Sequence, residues 1–281
     1  MKYFLYFLLI FIKLESPTCQ ENYDQDLTYL SVLVKVNDKS IASGIFIRDS
    51  NYVYFVTAKH VVYKEQNNIF TNDLKHNILN LIFYQSNSKF KLFGELQVDM
   101  VKINAIKAMM DTTNNDIFII KIGQIVHDNI ILEQGVKMIS DNLNNMQVAD
   151  YNMIKLYSDI NIGENIYAVG YPQTLGLKRL FQYDFNLPLV RNCIVAGKND
   201  DLKTLIIDCT LYPGNSGCPV FITNKVSETQ GNMTITRNKR YLVGIVSAFI
   251  PLVEDQKERF SGYSVVIPFD SIHKFIHSQY K

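Results

Sequence analysis

A chain of 281 residues, 47% of them hydrophobic and 20% charged, is long enough to bury a sizeable core in one domain or two small ones. Its 28 basic and 27 acidic residues nearly cancel, to a formal charge of +1, which argues against a nucleic-acid partner. Four cysteines with no CxxC or Cys/His spacing argue against zinc, and neither a metal nor any other cofactor is expected.

The chain opens on Met1-Lys2 and an apolar stretch over residues 3–12, the pattern of a signal peptide occupying residues 1–19. That stretch is too short to span a bilayer comfortably, so the expected location is secreted or periplasmic. Lys13 and Glu15 end it abruptly and no A-x-A-like site follows, which leaves an uncleaved anchor or a buried first strand as alternatives. Cleavage is expected near Cys19-Gln20. Residues 21–27 are polar and read as loose chain.

Short runs rich in β-branched and aromatic residues follow at 29–36, 41–47, 52–57, 79–84, 89–98 and 117–122, each bounded by Asn, Asp, Ser or Gly. They read as an antiparallel meander closing into a first barrel over about 29–126. From 127 to about 160 the chain is rich in Asn, contains Met and lacks strand alternation, so it reads as a linker. A second set of strands is expected at 165–169, 187–195, 204–211, 219–223, 241–249 and 263–267. Residues 224–240 form a polar surface hairpin in this reading, and Asn232-Met233-Thr234 within it matches a glycosylation acceptor. Phe269, Ile272, Phe275 and Ile276 recur at helical spacing behind Pro268, which predicts a closing helix over 268–281. His273 and His277 stand four apart on it with no third ligand nearby, so no metal is assigned to them. The fold class is all-β, two six-stranded antiparallel barrels with a C-terminal helix, over residues 20–281.

One stretch organises the rest: Tyr212-Pro213-Gly214-Asn215-Ser216-Gly217-Cys218-Pro219-Val220, a tight loop between two strands. A serine hydroxyl needs a base to take its proton and fixed donors to meet the oxyanion it creates. Gly214 can adopt backbone angles closed to other residues, turning its N–H and that of Ser216 toward one point. Read alone, the loop is equally a glycine-rich turn with an ordinary surface serine. The best base is His60, where the hydrophobic run Phe55-Val56-Thr57 gives way to a turn; His76 and His127 sit in polar loops. Asp116, directly before Ile117-Phe118-Ile119-Ile120, is the carboxylate to hold that imidazole, with Asp111 as its competitor. The order His, Asp, Ser differs from the α/β-hydrolase and subtilisin orders, and Cys218 stands where a G-x-S-x-G elbow needs glycine.

These residues resemble the chymotrypsin-fold, trypsin-like serine peptidases, and among them the Deg or high-temperature-requirement type. The likeness rests on Ser43-Gly44-Ile45-Phe46-Ile47, Val56-Thr57-Ala58-Lys59-His60-Val61-Val62, Asn115-Asp116-Ile117-Phe118-Ile119-Ile120, Gly163 to Pro172, and the serine loop. It implies an active site between the barrels, with His60 as general base, Asp116 as its orienter, Ser216 as nucleophile, and the N–H groups of Gly214 and Ser216 as oxyanion donors. It further implies a polypeptide substrate lying along Ser247, Ala248 and Phe249, with Thr210 and Gly262 near the side-chain pocket. No acidic residue marks that pocket, so small or apolar side chains are expected before the scissile bond.

Three departures accompany the resemblance. Cys218 adds bulk behind the loop. Asn215 replaces the aspartate that pairs with a freed N-terminus in zymogen-activated members. Only 65 residues follow Ser216, so no PDZ-type module is expected. With Cys19 removed, Cys193 and Cys209 on consecutive strands can bridge and leave Cys218 free, although sequence leaves the pairing open. The expected function is an exported serine endopeptidase; the alternative is a catalytically silent protease fold serving as a binding or scaffold protein.

Overall fold

The computed structural model describes residues 23–66, 69–84, 93–104, 109–110, 116–127, 129–140, 146–173, 184, 187–230, 233–254 and 257–278. The expected signal segment, Cys19, Asp111 and Asn232 lie outside these residues. No helix among the described residues is long and apolar enough to cross a membrane.

The first half forms one ten-stranded sheet. Its members are β1 (Ser31–Val36), β2 (Lys39–Arg48), β3 (Tyr52–Thr57), and, after the two-stranded hairpin β4 (Tyr63–Gln66) and β5 (Ile69–Leu74), β6 (Ile78–Tyr84) and β7 (Phe93–Asp99). After the short helix α3 (Met100–Asn104), the short β8 (Met109–Met110), β9 (Phe118–Val126), β10 (Asn129–Leu132), β11 (Val136–Met138) and β12 (Ala149–Asp150) complete it. The order β10-β9-β3-β2-β1-β6-β7-β11 places β10 and β11 at opposite edges. Only residues 133–135 join those two strands, so the sheet must curl until its edges nearly meet. Phe46 packs inside it against Phe55 and Phe83, with ring centroids 5.7 and 5.6 Å apart. Asn37 and Asp38 form a two-residue turn with φ of 48° and 62°, the left-handed pair that matches the twist of the β1–β2 hairpin.

This sheet differs from the expected six-stranded barrel in strand number. The segment read as a linker supplies β10, β11 and β12; these strands are too short to show an alternation, and sheet pairing rather than sequence pattern fixes them. The polar start is also not loose chain. Residues read partly as coil and partly as strand form α1 (Tyr23–Leu30), because Leu27 and Leu30, one helical turn apart, both bury against the strands behind them.

The second half is a closed barrel, β13-β14-β15-β18-β17-β16. Its strands are β13 (Asn165–Gly170), β14 (Leu189–Asn199), β15 (Thr204–Asp208), β16 (Pro219–Gln230), β17 (Met233–Glu254) and β18 (Lys257–Pro268). The expected surface hairpin is the far end of β16 and β17, paired from Asn224↔Lys239 out to Gln230↔Met233. Cys193 and Cys209 form a disulfide, while Cys218 is free and buried. The closing helix α4 (Asp270–Ser278) buries Ile272 and Ile276 in the core shared with Phe46 and Tyr54, so it ties the second barrel to the first.

Candidate active site

Strand register brings the first two site residues together. Thr57, the last residue of β3, pairs with Phe118, the first of β9, and the strands are antiparallel. The chain leaving β3 and the chain entering β9 therefore share one end of the sheet. His60 follows on the single helical turn α2 (Lys59–Val62), and Asp116 lies just before β9. Amides at the start of a helical turn have no intrahelical acceptor, and the His60 N–H donates to Asp116 Oδ1 at 2.8 Å. The imidazole Nδ1 lies 2.7 Å from Asp116 Oδ2. One carboxylate thus holds both the backbone and the ring of His60, which favours the tautomer with the proton on Nδ1 and leaves Nε2 as the acceptor.

The serine loop spans the gap from β15 to β16. Gly214 has φ +95° and Gly217 has φ +81°, both in the left-handed region that favours glycine. A Cβ on Gly217 would strike Ser43 O and Thr57 Oγ1, and one on Gly214 would strike Tyr171 O. Ser43 of β2 clamps the loop to the first sheet: its N–H donates to Ser216 O at 2.8 Å and its hydroxyl to Gly214 O at 2.8 Å. The hydroxyl in turn accepts from the Tyr171 N–H, and Thr57 Oγ1 donates to Ser43 O. Among the described residues, neither the Gly214 N–H nor the Ser216 N–H donates to a backbone carbonyl.

His60, Asp116 and Ser216 line one cleft of about 560 Å³, together with Asn215, Ser247, Ala248 and Phe249. Ser247 does more than edge it, since its hydroxyl donates to Asp116 Oδ2 at 2.5 Å across the two barrels. Thr210 and Gly262 lie outside the lining, beside each other. Cys218 takes the room left by Gly170 on the facing strand, where a Cβ would meet the Cys218 Cβ at 2.5 Å. Burial pushes its thiol far above the usual range, so no thiolate competes with the serine. Among the described residues, no group of three or more His, Cys, Asp or Glu side chains could hold a metal.

Sequence reasoning passed over Glu65 and Phe70, which reach the cleft from the β4–β5 hairpin, and Lys75, whose ammonium donates to His60 O at 2.6 Å. That hairpin carries a mostly exposed, polar sequence and gives no alternation to read. Ser43 belonged to a quoted motif, but only the fold reveals it as a clamp.

Residues 42–226, which hold all of these groups but Ser247 to Phe249 and Gly262, match the model of the trypsin-like peptidase domain. The chain belongs to the trypsin-like peptidase family. The match is to the family at large and does not single out a Deg-type branch. No curated protein matches the sequence. Among solved structures, this trypsin-like peptidase resembles a mutant of human heparin binding protein, at a TM-score of 0.50 and 9% identity over 90% of this chain and 92% of that one. At that identity the likeness speaks to the fold alone. A thermostable serine protease from an extremophilic microorganism aligns at 15% identity and a TM-score of 0.48, covering 91% of this chain and 97% of its own. Protease Anisep from Arthrobacter nicotinovorans aligns at 13% identity and 0.42, covering 85% and 88%.

Proposed function

We propose that this trypsin-like peptidase is an exported serine endopeptidase working through an acyl-enzyme. Ser216 Oγ attacks the scissile carbonyl of a polypeptide while its proton passes to His60 Nε2. Asp116 holds the Nδ1 proton and stabilises the imidazolium that forms. The N–H groups of Gly214 and Ser216 receive the oxyanion. His60 then gives its proton to the leaving amine, and water repeats the sequence to free the acid. The observation that carries this reading is the double grip of Asp116 on His60, at 2.8 and 2.7 Å, in the cleft that Ser216 also lines.

The test is labelling by a fluorophosphonate followed by peptide mapping. Modification at Ser216 that disappears in Ser216→Ala and His60→Ala is the expected outcome. A folded chain that stays unlabelled, and that turns over neither peptide nor simple ester, favours instead a silent protease fold used for binding.

A further inference from the structure

We propose that Tyr212, Phe260 and Phe249 form an aromatic bridge that closes the pocket beside Ser216 and limits the residue before the scissile bond to glycine, alanine or serine. The inference rests on Ser216 as nucleophile and names the substrates that its site admits.

Tyr212 belongs to the serine loop and Phe249 to β17, and both line the cleft with Ser216. Phe260 arrives from β18, its ring centroid 5.2 Å from that of Tyr212 and 4.9 Å from that of Phe249. One ring therefore reaches from the loop wall to the strand wall. The guanidinium of Arg191 lies over Tyr212 at 5.0 Å from its centroid and holds that end of the bridge.

Thr210 stands two residues before Tyr212, Gly262 two residues after Phe260, and neither lines the cleft. They face each other instead, with Thr210 Oγ1 3.8 Å from where a Cβ on Gly262 would stand. A branched or aromatic side chain entering beside Ser216 meets the rings of Tyr212 and Phe249, which line the cleft there and which Phe260 braces. The cation of Arg191, lying over Tyr212, offers a lysine or arginine side chain no partner at the bridge itself. Phe260 is 45% exposed, so truncating it opens the bridge without removing a core residue.

The test uses the full chain carrying Ser216→Ala and fluorescein-labelled hexapeptides ending in alanine, leucine or phenylalanine, the acyl-side products of cleavage. Fluorescence polarisation is expected to show the alanine peptide binding about tenfold or more tighter than the phenylalanine peptide, the scale on which pockets sort apolar side chains by size. Adding Phe260→Ala, or separately Phe249→Ala, is expected to abolish or reverse that preference. Three outcomes overturn the proposal: equal or tighter binding of the phenylalanine peptide to the parent, no binding of any peptide, or an unchanged preference in both aromatic variants. Labelling of Ser216 by a fluorophosphonate is read separately on the native chain. Its failure beside a retained alanine preference defeats the catalytic reading and leaves the pocket assignment intact.

Discussion

Asp116 accepts from three donors, the His60 N–H, the His60 ring and the Ser247 hydroxyl, and each removal tests a different part of the arrangement. Asp116→Asn keeps the shape but puts an amide donor against Nδ1, which favours the wrong imidazole tautomer. The expected cost is a fall in kcat of about 10⁴-fold with folding intact, read from peptide turnover beside circular dichroism. Ser247→Ala removes one neutral donor from a carboxylate that keeps two others, so kcat/KM is expected to fall by roughly tenfold or less, the equivalent of about 1 kcal/mol. A loss as large as that of Asp116→Asn would make Ser247 part of the reaction itself. Gly217→Ala acts on stability instead. The residue has φ +81°, and a Cβ there meets Ser43 O and Thr57 Oγ1 inside the clamp, so urea denaturation is expected to show a loss of at least ~2 kcal/mol. Asp116, like His60 and Ser216, could be named as a candidate from sequence because chemistry restricts which residue types do such work. The clamp could not, because Ser43 is an ordinary strand serine until its partners, 171 and 173 positions away, are folded against it.

At the scale of elements, the legible strands were those whose own sequence is apolar enough to demand burial. The run 52–57 became β3 with the same bounds, since Tyr-Val-Tyr-Phe-Val-Thr is β-branched or aromatic throughout and is buried on both faces. Helix α1 escaped notice because its charged residues mask two leucines that matter only once strands stand behind them. Leu27 is 1% exposed, and Leu27→Ala is expected to cost about 2–5 kcal/mol, seen as a lower urea midpoint with an unchanged slope. A change near zero would mean that α1 does not dock in solution. The disulfide between Cys193 and Cys209 closes a loop of sequence separation 16, for which chain entropy gives roughly 3 kcal/mol. Reduction is expected to lower the unfolding midpoint accordingly, and Cys193→Ser with Cys209→Ser to reproduce that midpoint without reductant.

At the scale of the molecule, the cleft exists because the two barrels are stitched at several points: Ser43 to the serine loop, Ser31 Oγ to Val169 O at 2.9 Å, Ser247 to Asp116, and α4 across the back. Stability at alkaline pH has its own element in the second barrel. The phenol of Tyr157 is pushed up to about 12 by burial, by its hydrogen bond to Asp200, and by the charges of Asp200 and Asp270. An unfolded chain ionises a tyrosine near 10, so the folded protein keeps this proton where the unfolded one loses it. Its contribution is whole below about pH 10 and is lost as the pH rises through about 12. Tyr157→Phe is expected to flatten that decline in a pH series of thermal melts, and an equally steep decline would assign it to other groups. By itself the sequence determined the all-β class, the closing helix and the identities of His60, Asp116 and Ser216 as candidates, because burial period and residue chemistry are local properties. Only the tertiary structure decided that the supposed linker joins the first sheet, that Ser247 reaches Asp116, and that three aromatic residues from separate segments meet beside the serine. Those contacts join positions far apart in the chain, and no local pattern encodes which distant partner closes a hydrogen bond or stacks on a ring.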